Sequence, residues 1–410
     1  MGKVIVLGAG MTRFGKYNDA DLPWKNHEEL GVEACLNALK HSGVNHQKIE
    51  AAYFGQTVTG MIQIGQRVTD MLGISGIPIY NHENACATSL AAFRNAYLDV
   101  KNGVHDIVLV AGVEKMIFFP KSKKKKEEKK DHSENSGGLL KMGSGGPIIM
   151  PEGMMFLQDI GVIMPAYFAL IGRRHMEEYG TTREQFAKIS VKNHKHGSMN
   201  PYAQYQNEVT LEQVLNSRMI CDPITLLQCT PTGDGAAAVI LASEKTAKKY
   251  TTKLVEVAGS VIMAGKYKAS KGHFSSLASC RLAAQKLYDE TGIGPNDLNV
   301  VEQHDCFTPH ELVTYEDLGI CKPGEGGRLV DEGVTALGGK VPFNVSGGLQ
   351  AKGHPIAATG VAQVIELVWQ LRGECGKRQV QGAKIGLAHN GGGIGPGLEP
   401  GLASVTMLKI

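Results

Sequence analysis

The 410-residue chain lacks paired cysteines, long apolar runs and a strong net charge. Its eight cysteines form no Cys-x-x-Cys pair, which argues against a zinc ribbon or a disulfide scaffold and favours free thiols in a reducing compartment. No apolar run reaches the length of a membrane span, and the N-terminal residues lack the layout of a signal peptide. We therefore expect a cytoplasmic globular protein that requires no metal and has no membrane partner.

The formal net charge of +3 is concentrated in one segment, residues 121–130, which hold seven lysines and two glutamates. Such a run is compatible with a nucleic-acid or membrane patch, or with a solvated loop tip. It contains no aromatic residue that could stack on a base, so the loop tip is the favoured interpretation. We expect no nucleic-acid partner.

Buried-strand patterns alternate with helical patterns along most of the chain. A helix that begins with small residues and is followed by a strand and glycines occurs twice, at 86–112 and at 354–393, which predicts an internal duplication. Such alternation is typical of an α/β fold with helices covering mixed sheets. From about 117 to 232 the chain is instead rich in Lys, Gly, Met and Pro, which predicts an insertion placed over a functional site.

Cys86 lies at the start of a predicted helix. The stretch Asn84–Val100 stands between two short apolar runs, the second at Ile107–Gly112, and this is the pattern of a strand, a sharp turn, a helix and a strand. The first residues of a helix carry unpaired N–H groups and the positive end of the helix dipole, which favour a thiolate. A small buried core cysteine is the alternative interpretation.

Three further stretches place polar groups at the ends of predicted strands or helices. His304 and Cys306 follow one strand, His354 lies in the turn before a second helix, and His389 precedes a glycine-rich segment that we predict to be a loop after a strand. Ligands bind at such ends of α/β layers. A thiol that forms a thioester needs a base to remove its proton, and donors for the developing oxyanion.

The sequence resembles the thiolase superfamily over nearly its whole length, and most closely the branch of the sterol-carrier-protein-2 thiolases and archaeal acetyl-CoA acetyltransferases. The motifs that carry this resemblance are NACATS around Cys86, GVEKM at 112–116, GDGAAAVILAS at 233–243, HDCF at 304–307, NVSGGLQAKGHPIAATG at 344–360 and GLAHNGGG at 386–393.

The resemblance implies the thiolase fold, in which two duplicated α/β/α/β/α layered halves carry an inserted loop domain. On this basis we expect an N-terminal half at 1–118 and 233–265, a loop domain at 119–232, and a C-terminal half at 266–410. It also implies a homodimer or a higher oligomer.

The resemblance also implies roles for individual residues. Cys86 resembles the acylated nucleophile, and His354 resembles the base that activates it and borders an oxyanion hole. His304 stands where most thiolases have an asparagine, and would contribute to the hole for the second thioester. The N–H of Cys86, with an N–H from Gly391 or Gly392, would form the other hole.

The sequence departs from better-known thiolases at the second acid/base. Their C-terminal Cys-x-Gly motif reads His389-Asn390-Gly391 here. In this branch the HDCF cysteine is thought to substitute, so Cys306 is our first choice for proton transfer at the substrate Cα, and His389 is the second.

The activity implied is acyl transfer between CoA thioesters, with coenzyme A and acyl-CoA as substrates and no permanently bound cofactor. The reaction would be thiolytic cleavage of a 3-oxoacyl-CoA, including a bulky or aromatic one such as benzoylsuccinyl-CoA, or the reverse Claisen condensation to acetoacetyl-CoA. Relatives in this branch often work with a small zinc-containing OB-fold protein. The alternatives are a decarboxylating condensing enzyme like the ketoacyl synthases, and a catalytically weak subunit of a complex.

Overall fold

A computed structural model describes residues 2–58, 61–117, 164–265, 275–395 and 400–410, together with the backbone of two short strands between 139 and 149. Apart from those two strands, the part of the predicted insertion between residues 119 and 163, including the Lys-rich run 121–130, lies outside the described residues. Among the helices that the structure describes, none combines the length and the apolar character needed to cross a membrane.

The strands, in chain order, are β1 (Val4–Met11), β2 (Ala51–Gly55), β3 (Ile79–His82), β4 (Ile107–Glu114), β5 (Leu139–Leu140), β6 (Ile148–Ile149), β7 (Met219–Cys221), β8 (Ile224–Thr225), β9 (Gly235–Ser243), β10 (Glu256–Ala264), β11 (Val300–Glu302), β12 (Ile385–Ile394) and β13 (Pro400–Lys409).

The α-helices, in chain order, are α1 (His27–Ser42), α2 (Ile64–Met71), α3 (Thr88–Lys101), α4 (Met164–Tyr179), α5 (Arg183–Ser198), α6 (Leu211–Asn216), α7 (Glu244–Ala247), α8 (Ala278–Thr291), α9 (Thr308–Asp317), α10 (Gly326–Asp331) and α11 (Thr359–Arg372).

The central feature is a nine-stranded mixed sheet with the order β11-β12-β13-β10-β1-β9-β4-β2-β3. In the first repeat, β4 is parallel to β2 and antiparallel to β9. In the second repeat, β12 is parallel to β11 and antiparallel to β13. The two repeats meet where β1 pairs with β10, so the order β2-β4-β9-β1 is matched by β11-β12-β13-β10. The predicted α/β duplication is confirmed.

Two buried helices, one from each repeat, lie side by side at the centre. On α3, Leu90, Phe93 and Tyr97 are buried, as the helical spacing predicts. Each large apolar side chain of this kind stabilises the fold by about 1.5–3 kcal/mol when fully buried. The start of α11 approaches α3 closely, because a Cβ on Gly360 would lie 2.9 Å from the backbone nitrogen of Leu90. The N–H of Val361 donates to Ser89 Oγ at 3.0 Å.

Two local predictions are wrong. Cys86 does not lie in the first turn of α3 but in a 3₁₀ turn, Ala85–Ala87, that precedes it. The glycine-rich segment after His389 is not a loop, because β12 continues through it to Ile394 and Gly391 and Gly392 pair with residues of β13. In the second case, pairing with a distant strand decides the local conformation.

Candidate active site

The turn that carries Cys86 is tightly bent. Ala85 has φ +47°, a left-handed conformation that costs free energy for a residue with a side chain. Thr88 holds the turn, since its hydroxyl accepts the N–H of Asn84 at 2.8 Å and donates to the carbonyl oxygen of Ala85 at 2.6 Å. The turn presents the half-buried thiol of Cys86 ahead of α3 rather than within it.

The structure brings the predicted nucleophile and two of the predicted histidines together. The Cys86 sulfur and one ring nitrogen each of His304 and His354 all lie within 4.8 Å of one another, and the two imidazole centroids are 5.1 Å apart. Gly112 of β4 permits this approach, because a Cβ there would lie 2.0 Å from the carbonyl oxygen of Ala357, three residues after His354. The nucleophile comes from the first repeat and both histidines from the second.

A cavity beside Cys86 is lined by imidazoles and by apolar side chains. The lining residues include Cys86, Met164, Tyr167, Phe168, Leu277, Cys280, His304, His310 and His389. Polar reacting groups and an apolar wall in one cavity are the usual composition of a small-molecule site.

His304 is held as a hydrogen-bond donor. The N–H of Gly391 donates to His304 Nδ1 at 3.0 Å, and burial lowers the pKa of the imidazole to about 4. A neutral imidazole that accepts at Nδ1 carries its proton on Nε2. His304 Nε2 is buried and has no hydrogen-bond partner within the described residues, so its N–H is free for a substrate oxygen.

His354 is held in the opposite tautomer. Its Nδ1 lies 2.7 Å from the hydroxyl of Thr359, and that hydroxyl donates its own hydrogen to the carbonyl oxygen of Pro355 at 3.0 Å. The Nδ1 of His354 must therefore be the donor to Thr359, which leaves a lone pair on Nε2. Burial and the neighbouring His304 lower the pKa of His354 well below its usual value, so the ring is neutral and can accept a proton.

The Cys86 thiol is protonated at rest, contrary to the expectation from the helix dipole. Burial and then the Glu114 carboxylate raise its pKa to about 12, although the N–H groups of Gly393 and of Cys86 itself act in the opposite direction. The thiolate therefore forms only when a base removes the proton.

One of the predicted oxyanion-hole donors is already engaged. Because the N–H of Gly391 is donated to His304, it is not free to stabilise an oxyanion at Cys86. Gly392 is paired with Leu402 of β13. The amides that face the sulfur are those of Gly393 and Cys86, and Gly393 was not among the predicted residues.

Cys306 and His389 both lie near His310, a histidine of the cavity lining that the sequence reasoning missed. The Cys306 sulfur is 3.2 Å from His310 Nδ1, and the His310 ring centroid is 6.1 Å from that of His389. Burial raises the pKa of the Cys306 thiol well above its usual value, while it lowers the pKa of His389 to about 3. The signal for His310 was its place four residues after Cys306 at the start of a helix.

Buried carboxylates position the turns that carry these groups. Glu114, from GVEKM, accepts the N–H of Ala357 and that of Val58, each at 3.1 Å. It thereby ties the turn after His354 to β4. Burial raises the pKa of Glu114 to about 7, against the effect of these N–H groups.

Asp305, from HDCF, fixes the turn between His304 and Cys306. Its carboxylate accepts the N–H of Leu349 at 2.7 Å and the side-chain amide of Asn193 at 2.9 Å. Burial, and then the neighbouring Glu311, raise the pKa of Asp305.

A buried ion pair joins two further motifs. Lys115 Nζ lies 2.8 Å from Asp234 Oδ2, and Asp234 Oδ1 accepts the N–H of Met116 at 2.7 Å. Breaking such a pair by removing one partner costs about 3–5 kcal/mol. These conspicuous polar residues of GVEKM and GDGAAA are therefore structural.

Among the described residues, two sets of donor atoms lie close enough to share a soft metal ion, namely Cys86 with His304 and His354, and His304 with Cys306 and His310. Both consist of thiol and imidazole groups already assigned to the candidate site. The expectation that the protein requires no metal stays a prediction.

Two family models match the chain along most of its length. Residues 4–245 match the thiolase N-terminal domain, and residues 266–397 match a thiolase C-terminal domain-like model. The acetyl-CoA acetyltransferase of Methanothermobacter thermautotrophicus is 39% identical over 96% of this chain and 97% of its own length. Sterol carrier protein 2 of Bos taurus is 40% identical over all of this chain and 72% of its own length.

A benzoylsuccinyl-CoA thiolase subunit, BbsB of Thauera aromatica, is 36% identical over 95% of each chain. Among solved structures, the Ltp2-ChsH2(DUF35) aldolase covers all of this chain and 98% of its own, with a TM-score of 0.80 at 24% identity. Human mitochondrial 3-ketoacyl-CoA thiolase also covers all of this chain and 98% of its own, with a TM-score of 0.70 at 18% identity. These two structural matches show the fold.

The duplicated α/β fold, with a thiol and several imidazoles where its repeats meet, defines an acyl-transferring enzyme. The chain belongs to the thiolase family, and the resemblance found in its motifs is confirmed.

Proposed function

We propose that this thiolase carries an acyl group on Cys86 and transfers it between CoA thioesters. In one direction it would cleave a 3-oxoacyl-CoA with CoA, and in the other it would condense two acyl-CoA molecules. The observation that supports this proposal best is the convergence of the Cys86 sulfur with His304 and His354 within 4.8 Å. It meets the first geometric requirement for an activated nucleophile.

The acylation step follows from the two tautomers. His354 Nε2 takes the Cys86 proton, and the thiolate attacks the C3 carbonyl of the substrate. The resulting alkoxide is stabilised by amide N–H groups, for which Gly393 and Cys86 are the nearest donors. The Nε2–H of His304 is available for the thioester oxygen of the leaving enolate, where negative charge develops as the Cα–C3 bond breaks.

The second step needs a proton for the enolate and a base for CoA. Cys306, buried in the same region and protonated at rest, would donate its S–H proton to Cα and release the CoA thioester that carries Cα, which is acetyl-CoA for an unbranched substrate, while the shortened acyl group stays on Cys86. The thiolate left on Cys306 would then take the proton of the incoming CoA thiol, which attacks the acyl group on Cys86. The released Cys86 thiolate recovers its proton from His354. His389 is the second candidate for this proton transfer.

We further propose that the acyl group is apolar. Tyr167, Phe168 and Leu277 form the apolar wall of the cavity next to Cys86, and a bulky or aromatic 3-oxoacyl-CoA would pack against them. The similarity to BbsB makes benzoylsuccinyl-CoA a substrate to include, beside acetoacetyl-CoA. Thiolysis rates across a series of 3-oxoacyl-CoA thioesters test this.

The acyl-enzyme is tested by intact-protein mass spectrometry after incubation with acetoacetyl-CoA. We expect one acetyl group on the wild type and none on Cys86→Ala. Cys321→Ser, which changes a half-buried thiol that does not line the cavity, is the matched control and should acylate normally. Acylation of the Cys86→Ala variant would contradict the proposal. Product formation that requires malonyl thioesters would favour a decarboxylating condensing enzyme instead.

We also propose that the chain works as a homodimer or higher oligomer, and with a small zinc-containing OB-fold partner. In support, BbsB is named as a subunit, and the Ltp2-ChsH2(DUF35) aldolase has two named components. Light scattering on the purified chain, and purification after co-expression with proteins encoded by neighbouring genes, test the two parts separately. A monomeric, fully active chain would contradict both.

A further inference from the structure

His310 is a buried imidazole for which the mechanism above has no use. It lies near the start of α9 and lines the same cavity as Cys86 and His389. Its Nδ1 is 3.2 Å from the Cys306 sulfur, within hydrogen-bond reach of a thiol. Its Nε2 is buried without a hydrogen-bond partner among the described residues.

We propose that His310 is the positioning residue of Cys306, and that its Nδ1–H stabilises the thiolate formed when Cys306 delivers its proton to the substrate Cα. The inference rests on the proposed function, because it assigns a partner to the sulfur that acts in the second half-reaction.

The packing around His310 fixes the direction of this hydrogen bond. Phe168 stacks on its ring with the centroids 4.7 Å apart and an interplanar angle of 19°, which restricts rotation of the imidazole about its Cβ–Cγ bond. The position of Nδ1 is therefore set by an apolar neighbour and not by the sulfur alone.

The groups that face His310 keep it neutral. They are the imidazoles of His304, whose centroid is 5.0 Å away, of His389, and of His354, together with the thiol of Cys306. Burial and these imidazoles lower the pKa of His310 well below its usual value. A neutral imidazole can donate from one nitrogen only, and a lone pair on Nδ1 would repel a thiolate at 3.2 Å.

The proton transfer balances without any further reagent. Cleavage of the Cα–C3 bond leaves an electron pair on Cα, the S–H bond of Cys306 breaks, and a C–H bond forms at Cα. The negative charge then rests on the Cys306 sulfur, which the N–H of Phe307 already approaches. The Nδ1–H of His310 is the second donor to that charge, until the CoA thiol returns a proton to the sulfur.

The test separates the two half-reactions. Acetylation of Cys86 by acetyl-CoA is followed by mass spectrometry, and exchange of the acetyl-CoA methyl hydrogens in D₂O is followed by NMR. In His310→Leu we expect the exchange rate to fall about 100-fold, as general acid–base contributions do. The acetylation rate should fall by less than about fivefold, because CoA can leave as a thiolate without a proton, whereas a C–H bond at Cα breaks only with a base.

A matched pair of variants provides the control. The side-chain nitrogen of His310→Asn reaches the place of Nδ1 and can donate to sulfur, whereas that of His310→Gln extends beyond it. We expect Asn to restore at least about one tenth of the exchange rate and Gln to behave like Leu. If His310→Leu unfolds at the assay temperature, the comparison of His310→Asn with His310→Gln replaces it as the test, because the two side chains are both polar and similar in size.

The outcomes distinguish this inference from the proposed function. A wild-type chain that never acetylates Cys86 overturns the proposed function. A wild type that acetylates and exchanges, while His310→Leu exchanges equally fast or Asn is no better than Gln, overturns only the role of His310. Loss of acetylation and exchange together in a folded His310→Leu would also overturn it, because the effect would then not be specific to Cys306.

Discussion

The tautomer of His354 leads to a quantitative prediction about pH. In His354→Asn, the side-chain nitrogen can still donate to the Thr359 hydroxyl, as Nδ1 does now at 2.7 Å, but the Nε2 lone pair that faces Cys86 is lost. The variant keeps the local hydrogen bond and removes only the base.

The magnitude follows from the Cys86 thiol, whose pKa is raised to about 12 by burial and by Glu114. At pH 7 only about one molecule in 10⁵ then carries a thiolate in the absence of a base. A general base typically recovers a factor of 10²–10⁴, so we expect acylation of His354→Asn at pH 7 to be slower by about that factor.

The pH profile is the decisive measurement. The thiolate fraction of a group with a raised pKa grows as pH rises, so the acylation rate of His354→Asn should increase about tenfold per pH unit from pH 7 to pH 10. The wild type should be nearly flat over this range, because His354 is neutral throughout. Rapid-quench mass spectrometry of the acyl-enzyme gives both profiles. A variant that acylates within about threefold of the wild type at pH 7, or whose slow rate does not depend on pH, would refute the reasoning.

Three further predictions concern the residues around this pair. Cys306→Ala should still acylate Cys86 from acetyl-CoA, because CoA can leave as a thiolate, but it should exchange or form no bond at Cα; retention of exchange, measured as above, would place the acid/base elsewhere. Burial raises the pKa of Glu114 to about 7, so its contribution to the free energy of unfolding declines as pH rises from about 4.5 to 7. In Glu114→Gln, urea titrations should show that this pH dependence of the free energy of unfolding is lost. An unchanged pH dependence would contradict the raised pKa of Glu114. Gly112→Ala should lower the free energy of unfolding by about 1–3 kcal/mol or more and reduce the acylation rate, because its Cβ would lie 2.0 Å from the carbonyl oxygen of Ala357. A variant as stable and active as the wild type would contradict the close approach of β4 to Ala357.

Much of the fold was predictable because its helices follow local patterns. The helix predicted within Asn84–Val100 is found at Thr88–Lys101, and the strand predicted at Ile107–Gly112 is found at Ile107–Glu114. Gly391 and Gly392 were not predictable as part of a strand, since glycines normally weaken one and only their pairing with β13 holds them extended.

The candidate site was predictable as a set of residues but not as a set of protonation states. Cys86, His304 and His354 were chosen for their motifs, and the structure brings them together. The raised pKa of Cys86 and the use of the Gly391 amide by His304 depend on burial and on contacts between residues far apart in the chain. His310 was missed because its place four residues after Cys306, at the start of a helix, does not by itself show that the buried imidazole faces the sulfur.

Because α3 and α11 lie in contact, the reactivity of Cys86 depends on whether both repeats are folded and docked. If only the first repeat were folded, Cys86 would lack the imidazole of His354 that deprotonates it. Such a chain would not react with thioesters. Reactivity toward acyl-CoA would emerge at the moment the second repeat docks, and the appearance of labelled Cys86 during refolding would time that event.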